Sequence, residues 1–361
     1  MPVIRPMLVA RLLSTLLGVA LCLPASAISA SAAQKKKPAT RSAAAKKPSY
    51  SASTSTARRA RLARARASVR QRELARLRSL QALQDAMTPR FKTDAAGQVV
   101  PDVRAAAAIV FDPASGQVLY EENSQDKRSI ASITKVMTAL VYLEDNPDLN
   151  AGVTIERSDV YAASTTYLKA KDQVTAGELL HLLLIPSDNA AARALARTSH
   201  GGAAAFVERM NEKALELGLQ NTSFADPSGL NANNLSSAFD LSHLITFAAS
   251  DDRIASIMRK ANYTVATNRR MIPIHSTNHI VMNGDVDVMA GKTGFISKSG
   301  YCLATLLRLP QGGQQVAVVV LGARSNAGRF METQNLFNWL ASKASTVFAT
   351  KTPGFSTNPD E

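Results

Sequence analysis

Hydrophobic and polar positions fall into three successive patterns along the 361 residues. From Ala105 to Phe111 and from Gln117 to Tyr120 the chain is short-range and β-prone. The intervening Asp112-Pro113-Ala114-Ser115-Gly116 has proline early and glycine late, which predicts a hairpin. A helical pattern follows. An apolar run from Val136 to Leu143 ends before Pro147, and Thr175 to Leu184 predicts a helix with Thr175 as N-cap and Glu178 as its capping-box partner. Ala190 to Arg197 and Ala203 to Leu217 predict two alanine-rich helices joined by Gly201-Gly202, the second stopped by Gly218. After Asp252 the pattern changes again. Asn262 to Ala266, Val286 to Lys292, Tyr301 to Leu309 and Gln315 to Leu321 are short, β-branched and bounded by turns, with Gln311-Gly312-Gly313-Gln314 as a hairpin connection. A last helix is predicted over Met331 to Ala344, carrying Phe337, Trp339 and Leu340 onto the sheet. The fold class is therefore α/β of the α+β type: one antiparallel sheet built from both ends of the chain, flanked by helices, with an all-helical lobe inserted between.

The N-terminal region has a different character. Arg5 and Arg11, an apolar core from Leu12 to Leu23 and Ala25-Ser26-Ala27 predict a secretory signal peptide over residues 1–27. The apolar core is too short to span a bilayer of about 30 Å as a helix. Its removal takes Cys22 with it and leaves Cys302 as the one cysteine, so no internal disulfide is available in an oxidising compartment. Stability must come from core burial, which 46% hydrophobic residues allow. The formal charge of +14 is concentrated upstream: residues 28–92 hold 17 Lys+Arg against 2 Asp+Glu, or +15, and Arg5 and Arg11 add +2. The remainder is therefore near 14 − 17 = −3. Residues 28–92 read as a basic low-complexity tail, with Leu62, Val69, Leu74, Leu77, Leu80 and Leu83 at helical spacing suggesting a cationic amphipathic helix. For an exported chain the partner of such a tail is an anionic membrane surface or envelope polymer, and not nucleic acid. Residues 93–349 are expected to form the catalytic domain, and residues 350–361, rich in Pro, Ser and Asn, a disordered C-terminal tail.

The candidate chemistry begins at Ser132-Ile-Thr-Lys135. Three residues is just under one helical turn, which stacks the lysine amine beside the serine hydroxyl. A serine hydroxyl is a weak nucleophile until its proton is taken, and a lysine can take it only where desolvation or a neighbouring cation keeps it neutral. Ser124-Gln-Asp-Lys127 repeats the pattern in a polar run and reads as a solvated loop. Two further motifs follow: Ser187-Asp188-Asn189 after the Ile185-Pro186 helix stop, and Lys292-Thr293-Gly294 at the end of an apolar alternation. Lys298-Ser299-Gly300 repeats the latter in a polar turn.

Ser-x-x-Lys, Ser-x-Asn and Lys-Thr-Gly in this order mark the penicillin-recognising serine enzymes. Between Ala105 and Ala344 the chain resembles the serine D-Ala-D-Ala peptidases of the low-molecular-mass penicillin-binding type. Ala290-Gly-Lys-Thr-Gly-Phe-Ile296, Ser187-Asp-Asn-Ala-Ala-Ala192 and His275-Ser-Thr-Asn278 look most like the D-alanyl-D-alanine endopeptidase branch. The chain's ending soon after the last predicted helix, without room for a further C-terminal β-domain, points the same way.

The resemblance implies a DD-peptidase/β-lactamase-like fold and a role for each residue. Ser132 is the acylated nucleophile, Lys135 its general base, and Ser187 a proton relay to the leaving amine. Asn189 holds the substrate backbone. Lys292 repels the proton of Lys135 and attracts the substrate carboxylate, to which Thr293 adds a hydroxyl. Gly294 belongs to the same substrate-binding strand, and the N–H groups of Ser132 and Phe295 form the oxyanion hole. Peptidoglycan peptide stems are the implied substrate, β-lactams the covalent inhibitors and the periplasm the location. No cofactor or metal is required, because two serines, two lysines and an amide suffice for acyl transfer. A class A β-lactamase also needs a glutamate beyond Ser-Asp-Asn, and residues 221–238 contain Asp226 but no glutamate.

Other chemistries fit less well. His275 and His279 are four apart but lie in sequence that reads as strand and loop, without the Glu of His-Glu-x-x-His. Gly-x-Ser-x-Gly does not occur, and Cys302 sits in an apolar strand. The alternatives to the endopeptidase are a D-Ala-D-Ala carboxypeptidase and a non-catalytic peptidoglycan-binding protein.

Overall fold

A computed structural model describes residues 52–310 and 313–349. The expected signal peptide, the low-complexity residues before Ala52, Gln311-Gly312 and the expected tail from Thr350 lie outside the described residues. The chain divides into two units at Ala67/Ser68. Helix α1 (Ala52–Met87) belongs to the region read as a tail. The amphipathic face expected there does not form: Arg58 and Arg66 stand one turn either side of Leu62, Arg70 one turn before Leu74, and Arg76 one turn before Leu80. Charge thus interrupts the leucine row, and Leu62, Val69, Leu74, Leu77 and Leu80 are all exposed. No described helix is long and apolar enough to cross a membrane.

The second unit is organised on a five-stranded antiparallel sheet. Its strands are β1 (Ala107–Asp112), β2 (Gln117–Glu122), β3 (Asp287–Ile296), β4 (Gly300–Arg308) and β5 (Gln315–Ala323), in the order β3-β4-β5-β1-β2. The junction of the chain's two ends is the β5·β1 ladder, where Val319 faces Ile109. Both faces of the sheet are covered, which is why β5 reads as an unbroken apolar run. Ala317, Val319 and Leu321 belong to one core cluster, and Val316, Val318 and Val320 to the other. At about 25 cal/mol per Å² of apolar surface removed from water, burial on both faces anchors this strand more strongly than any of its hydrogen bonds.

The inserted lobe contains α2 (Lys135–Glu144), α3 (Ala176–Leu184), α4 (Asn189–Thr198), α5 (Gly202–Glu216) and α6 (Ala238–Ala249). Helix α6 lies against β4 and β5 on the lobe's side. The opposite face is covered by α7 (Asn326–Ala349), through Phe330, Leu336, Phe337 and Leu340. In α4 the fully buried Ala190, Ala191, Ala192, Ala194 and Ala196 present no bulk, so α3 and α5 pack closely against it. Thr175 caps α3 by accepting from the Glu178 N–H at 3.2 Å, but the reciprocal half of the capping box is not made. The Glu178 carboxylate turns instead to the Tyr263 hydroxyl and the Ala266 N–H.

Candidate active site

Ser132 lies on a 3₁₀ turn, Ala131–Thr134, that runs directly into α2. In a 3₁₀ turn side chains three apart eclipse one another, a closer register than the α-helical one the spacing suggests. The Lys135 amine donates to Ser132 Oγ at 2.8 Å. The turn is fastened at both ends. Thr134 Oγ1 donates to the Ala131 carbonyl at 2.7 Å, and Thr138 Oγ1 to the Pro227 carbonyl at 2.6 Å. Ala131, one residue before Ser132, is held at φ 48°, a left-handed conformation that L-residues adopt at a cost.

Lys135 is fully buried, and its amine also donates to Asn189 Oδ1 at 2.6 Å and to the Ser228 carbonyl at 2.5 Å. Its pKa falls from 10.5 to about 7. Burial is the leading cause, the carboxylates of Asp188 and Asp226 oppose it, and Arg193 adds a smaller lowering. The repulsion expected from Lys292 is not among the causes. Lys292 is itself buried and lowered, first by burial and then by the charges of Lys135 and Arg329. Desolvation thus brings the neutral amine of Lys135 within reach near pH 7.

Lys292, on edge strand β3, donates to Ser187 Oγ at 2.8 Å and to the Thr293 carbonyl at 3.0 Å. Ser187 is left-handed at φ 66°, in the loop between α3 and α4. Its neighbour Asp188 holds that loop as the N-cap of α4, accepting from the Ala191 N–H, the Tyr167 N–H and Thr166 Oγ1. Asn189 is less free than its expected role suggests. Its Oδ1 takes the Lys135 amine and its Nδ2 donates to the Ala163 carbonyl at 2.7 Å, leaving one amide hydrogen for a ligand. Gly294 permits a close approach between β3 and the Ser132 turn: a β-carbon there would lie 2.6 Å from the Ile130 carbonyl oxygen.

These residues meet at a cleft of about 430 Å³, lined by Ser132, Ser187, Asn189, Thr293, Gly294 and Phe295, with Lys135 and Lys292 buried beside the two serines. Phe295 is 48% exposed and stacks on Tyr301 at the rim. Three contributors were not singled out from sequence. Thr277 shares a 2.6 Å hydroxyl contact with Thr293, and its only signal was membership of His275-Ser-Thr-Asn278. Ser228 supplies a carbonyl to Lys135. Arg329, from α7, lines the cleft and donates to the Gly294 and Cys302 carbonyls at 3.0 and 3.1 Å. Burial lowers its pKa to about 10. Nothing local in the sequence marks it, since both carbonyls belong to strands far upstream. Among the sites set aside, His275 hydrogen-bonds Asn262, His279 stacks on Phe330, and Cys302 is buried in β4. The described residues contain no cluster of His, Cys, Asp and Glu able to hold a metal ion.

Fold and site are those of a serine peptidase. The chain belongs to the D-alanyl-D-alanine carboxypeptidase family of S11 peptidases, whose sequence model matches residues 93–325. It is 31% identical to the D-alanyl-D-alanine endopeptidase of Escherichia coli over 66% of this chain and 78% of the relative. It is 33% identical to the enzyme of the same name from Haemophilus influenzae, over 63% and 78%. The D-alanyl-D-alanine carboxypeptidase DacC of E. coli is 33% identical over 66% of this chain and 62% of its own. Among solved structures, the Streptomyces K15 DD-transpeptidase matches with a TM-score of 0.62 and 29% identity, covering 66% of this chain and 97% of that one.

Proposed function

We propose that this protein is a DD-endopeptidase, cutting D-alanyl cross-links of peptidoglycan through an acyl-enzyme on Ser132. The observation that carries the reading is the 2.8 Å contact between Ser132 Oγ and the amine of Lys135, a lysine that burial keeps half-neutral near pH 7. With Lys135 neutral, the hydroxyl donates along that contact and its proton moves to the amine as Oγ attacks the D-alanyl carbonyl. The N–H groups of Ser132 and Phe295 receive the oxyanion, a contribution of about 10²–10³ in rate per donor. The C–N bond then breaks, Ser187 relays a proton to the leaving amine, and water releases the acyl group from Ser132. Lys292, Thr293 and Arg329 draw the substrate's carboxylate into the cleft, and Asn189 holds its backbone with the remaining amide hydrogen.

Preference for the endopeptidase rests on the relatives bearing that name, which match along 78% of their length against 62% for DacC. The carboxypeptidase reading uses the same residues and is favoured by the family's description. The enzyme works in the periplasm, delivered by the leader at residues 1–27, with the basic segment 28–92 against an anionic envelope surface. Mass spectrometry decides between the two activities. A cross-linked muropeptide dimer and a pentapeptide monomer are incubated with mature protein and with Ser132→Ala. Splitting of the dimer, abolished by the substitution, establishes the endopeptidase, whereas loss of only the terminal D-Ala from the pentapeptide makes it a carboxypeptidase.

A further inference from the structure

Both motif copies that the active site leaves unused end at one place. Lys127, of Ser124-Gln-Asp-Lys127, and Lys298, of Lys298-Ser299-Gly300, line a second cavity of about 340 Å³, together with Arg128, Ser129, Asn233 and Ser299. The cavity adjoins the cleft through the chain itself. Ile296 and Ser297 line the cleft, and the next two residues line the cavity; Ser129 stands three residues before Ser132.

Its polar character is one-sided. Three cations face it and no carboxylate lines it, and among the described residues Lys127, Arg128 and Lys298 form no ion pair. Ser129 is only 7% exposed, yet its hydroxyl has no hydrogen-bond partner, and neither does the buried Nε–H of Arg128. Buried donors without partners are rare in folded proteins, and like charges gathered without a counter-charge repel. An anion held between the lysine amines supplies the missing counter-charge.

We propose that this cavity is an anion subsite for a carboxylate carried by the substrate's peptide stem outside the D-alanyl unit that is cut. The proposal rests on the peptidase reading above. β3 is an edge strand, so a peptide extended along its free edge past Phe295 runs toward the Lys298-Ser299 turn that borders the cavity. The subsite would favour stems with a free acid over stems in which that acid is an amide.

The test compares kcat and KM of wild-type protein and of the double variant Lys127→Gln/Lys298→Gln on two cross-linked dimers, one with free stem carboxylates and one with amides. Wild type is expected to favour the acid dimer by about tenfold in kcat/KM, the effect of one charge-assisted contact. The double variant should lose that preference through KM, with kcat unchanged, and cut the amidated dimer as wild type does. Acylation by benzylpenicillin reads Ser132 and Lys135 independently and should not change. Equal cutting of both dimers by wild type, or an equal loss on both in the variant, overturns the subsite. So does inorganic phosphate that slows cutting of both dimers alike, which would place a free anion there instead. Should neither dimer be cut while penicillin still acylates Ser132, the endopeptidase reading fails, and the same acid-against-amide comparison on the pentapeptide decides the subsite.

Discussion

Gly229 lies directly over the backbone of Ser132: a β-carbon at Gly229 would sit 2.8 Å from the Ser132 nitrogen and 2.1 Å from the Ala131 carbonyl oxygen. Its φ of 84° is also in the region that side chains disfavour. The Ser132 turn therefore has backbone packed against it from two sides, Gly294 on β3 and Gly229 on the loop that follows Ser228. Gly229→Ala should displace the turn, because neither obstructing atom belongs to a flexible side chain. We expect a stability loss of at least about 2 kcal/mol, combining strain and clash, and acylation by benzylpenicillin reduced more than a hundredfold. Thermal melts and stopped-flow acylation measure the two effects, and wild-type acylation in a folded variant would refute the packing argument.

The lowered pKa of Lys135 sets two pH dependences, both rising with pH but in different windows. With Lys135 as the proposed base, acylation needs the neutral amine, so its rate should rise about tenfold per pH unit below 7 and level off above it. An unshifted lysine would keep rising toward 10.5. Stability follows from the same shift: between about pH 7 and 10.5 the unfolded chain holds a proton on this lysine that the folded chain has lost. Folding should therefore strengthen as pH rises through that window, and Lys292, lowered in the same direction, adds to it. Lys135→Met should flatten the stability contribution and abolish the acylation limb together. A limb that stays at pH 7 in a variant still acylated would exclude Lys135 as the base.

Arg329 faces the cleft with a buried Nε–H that has no hydrogen-bond partner among the described residues, while its Nη1 fastens β3 to β4 through two carbonyls. It combines a structural clamp with an unused donor and a charge. Arg329→Lys preserves the charge but loses the planar guanidinium, whose Nη1 reaches both carbonyls while Nη2 holds Asn326 Oδ1. We expect the lysine variant to lose about 1–3 kcal/mol of stability, and to raise KM for an acid-terminated substrate by less than Arg329→Gln does. Equal KM values for all three proteins would confine Arg329 to the clamp.

The fold was legible where burial dictates the pattern. β3, β4 and β5 announce themselves because both faces are covered, and Ser132, Ser187 and Lys292 because their motifs are local. What was missed is non-local or was hidden by a competing signal. Arg329 acts on carbonyls at positions 294 and 302, which no window around residue 329 contains. Helix α6 carries a start signal of its own, with Ser237 accepting from the Asp240 N–H, that the hydrophobic pattern does not show. Glu178 looked like a capping partner by spacing, yet strand Asn262–Ala266 offered its carboxylate a hydroxyl and an N–H. Leucine spacing alone suggested an amphipathic α1, and the interleaved arginines undo it.

That helix makes a separate prediction. Its arginines point to every side, so attraction to an anionic surface would be electrostatic and needs no apolar face. Full-length mature protein should bind anionic vesicles at low salt and release as ionic strength rises past about 0.15 M, where the screening length falls to about 8 Å. Protein lacking residues 28–92 should not bind. Salt-insensitive binding, or equal binding by both forms, would remove the tail from this role.

The lifetime of a β-lactam adduct follows from what Asp226 does. Residues 221–238 contain no glutamate, and Asp226 is occupied. Its Oδ1 accepts from the Ser228 N–H at 2.5 Å, Ser228 Oγ at 2.8 Å and the Gly229 N–H at 2.7 Å, and its Oδ2 from the Asn231 N–H at 2.5 Å. Four donors from its own loop occupy both oxygens of this carboxylate, so it shapes the loop under Lys135 and is not free to activate water. Benzylpenicillin should therefore acylate Ser132 and remain bound for far longer than a catalytic turnover. Intact mass spectrometry should show a stoichiometric adduct on wild type and none on Ser132→Ala. Asp226→Asn, which cannot accept at both oxygens, should slow acylation by disturbing Ser228 and Gly229 while leaving the adduct's lifetime unchanged. An adduct that vanishes within seconds on wild type, and persists only in Asp226→Asn, would make Asp226 a deacylation base and the protein a β-lactamase.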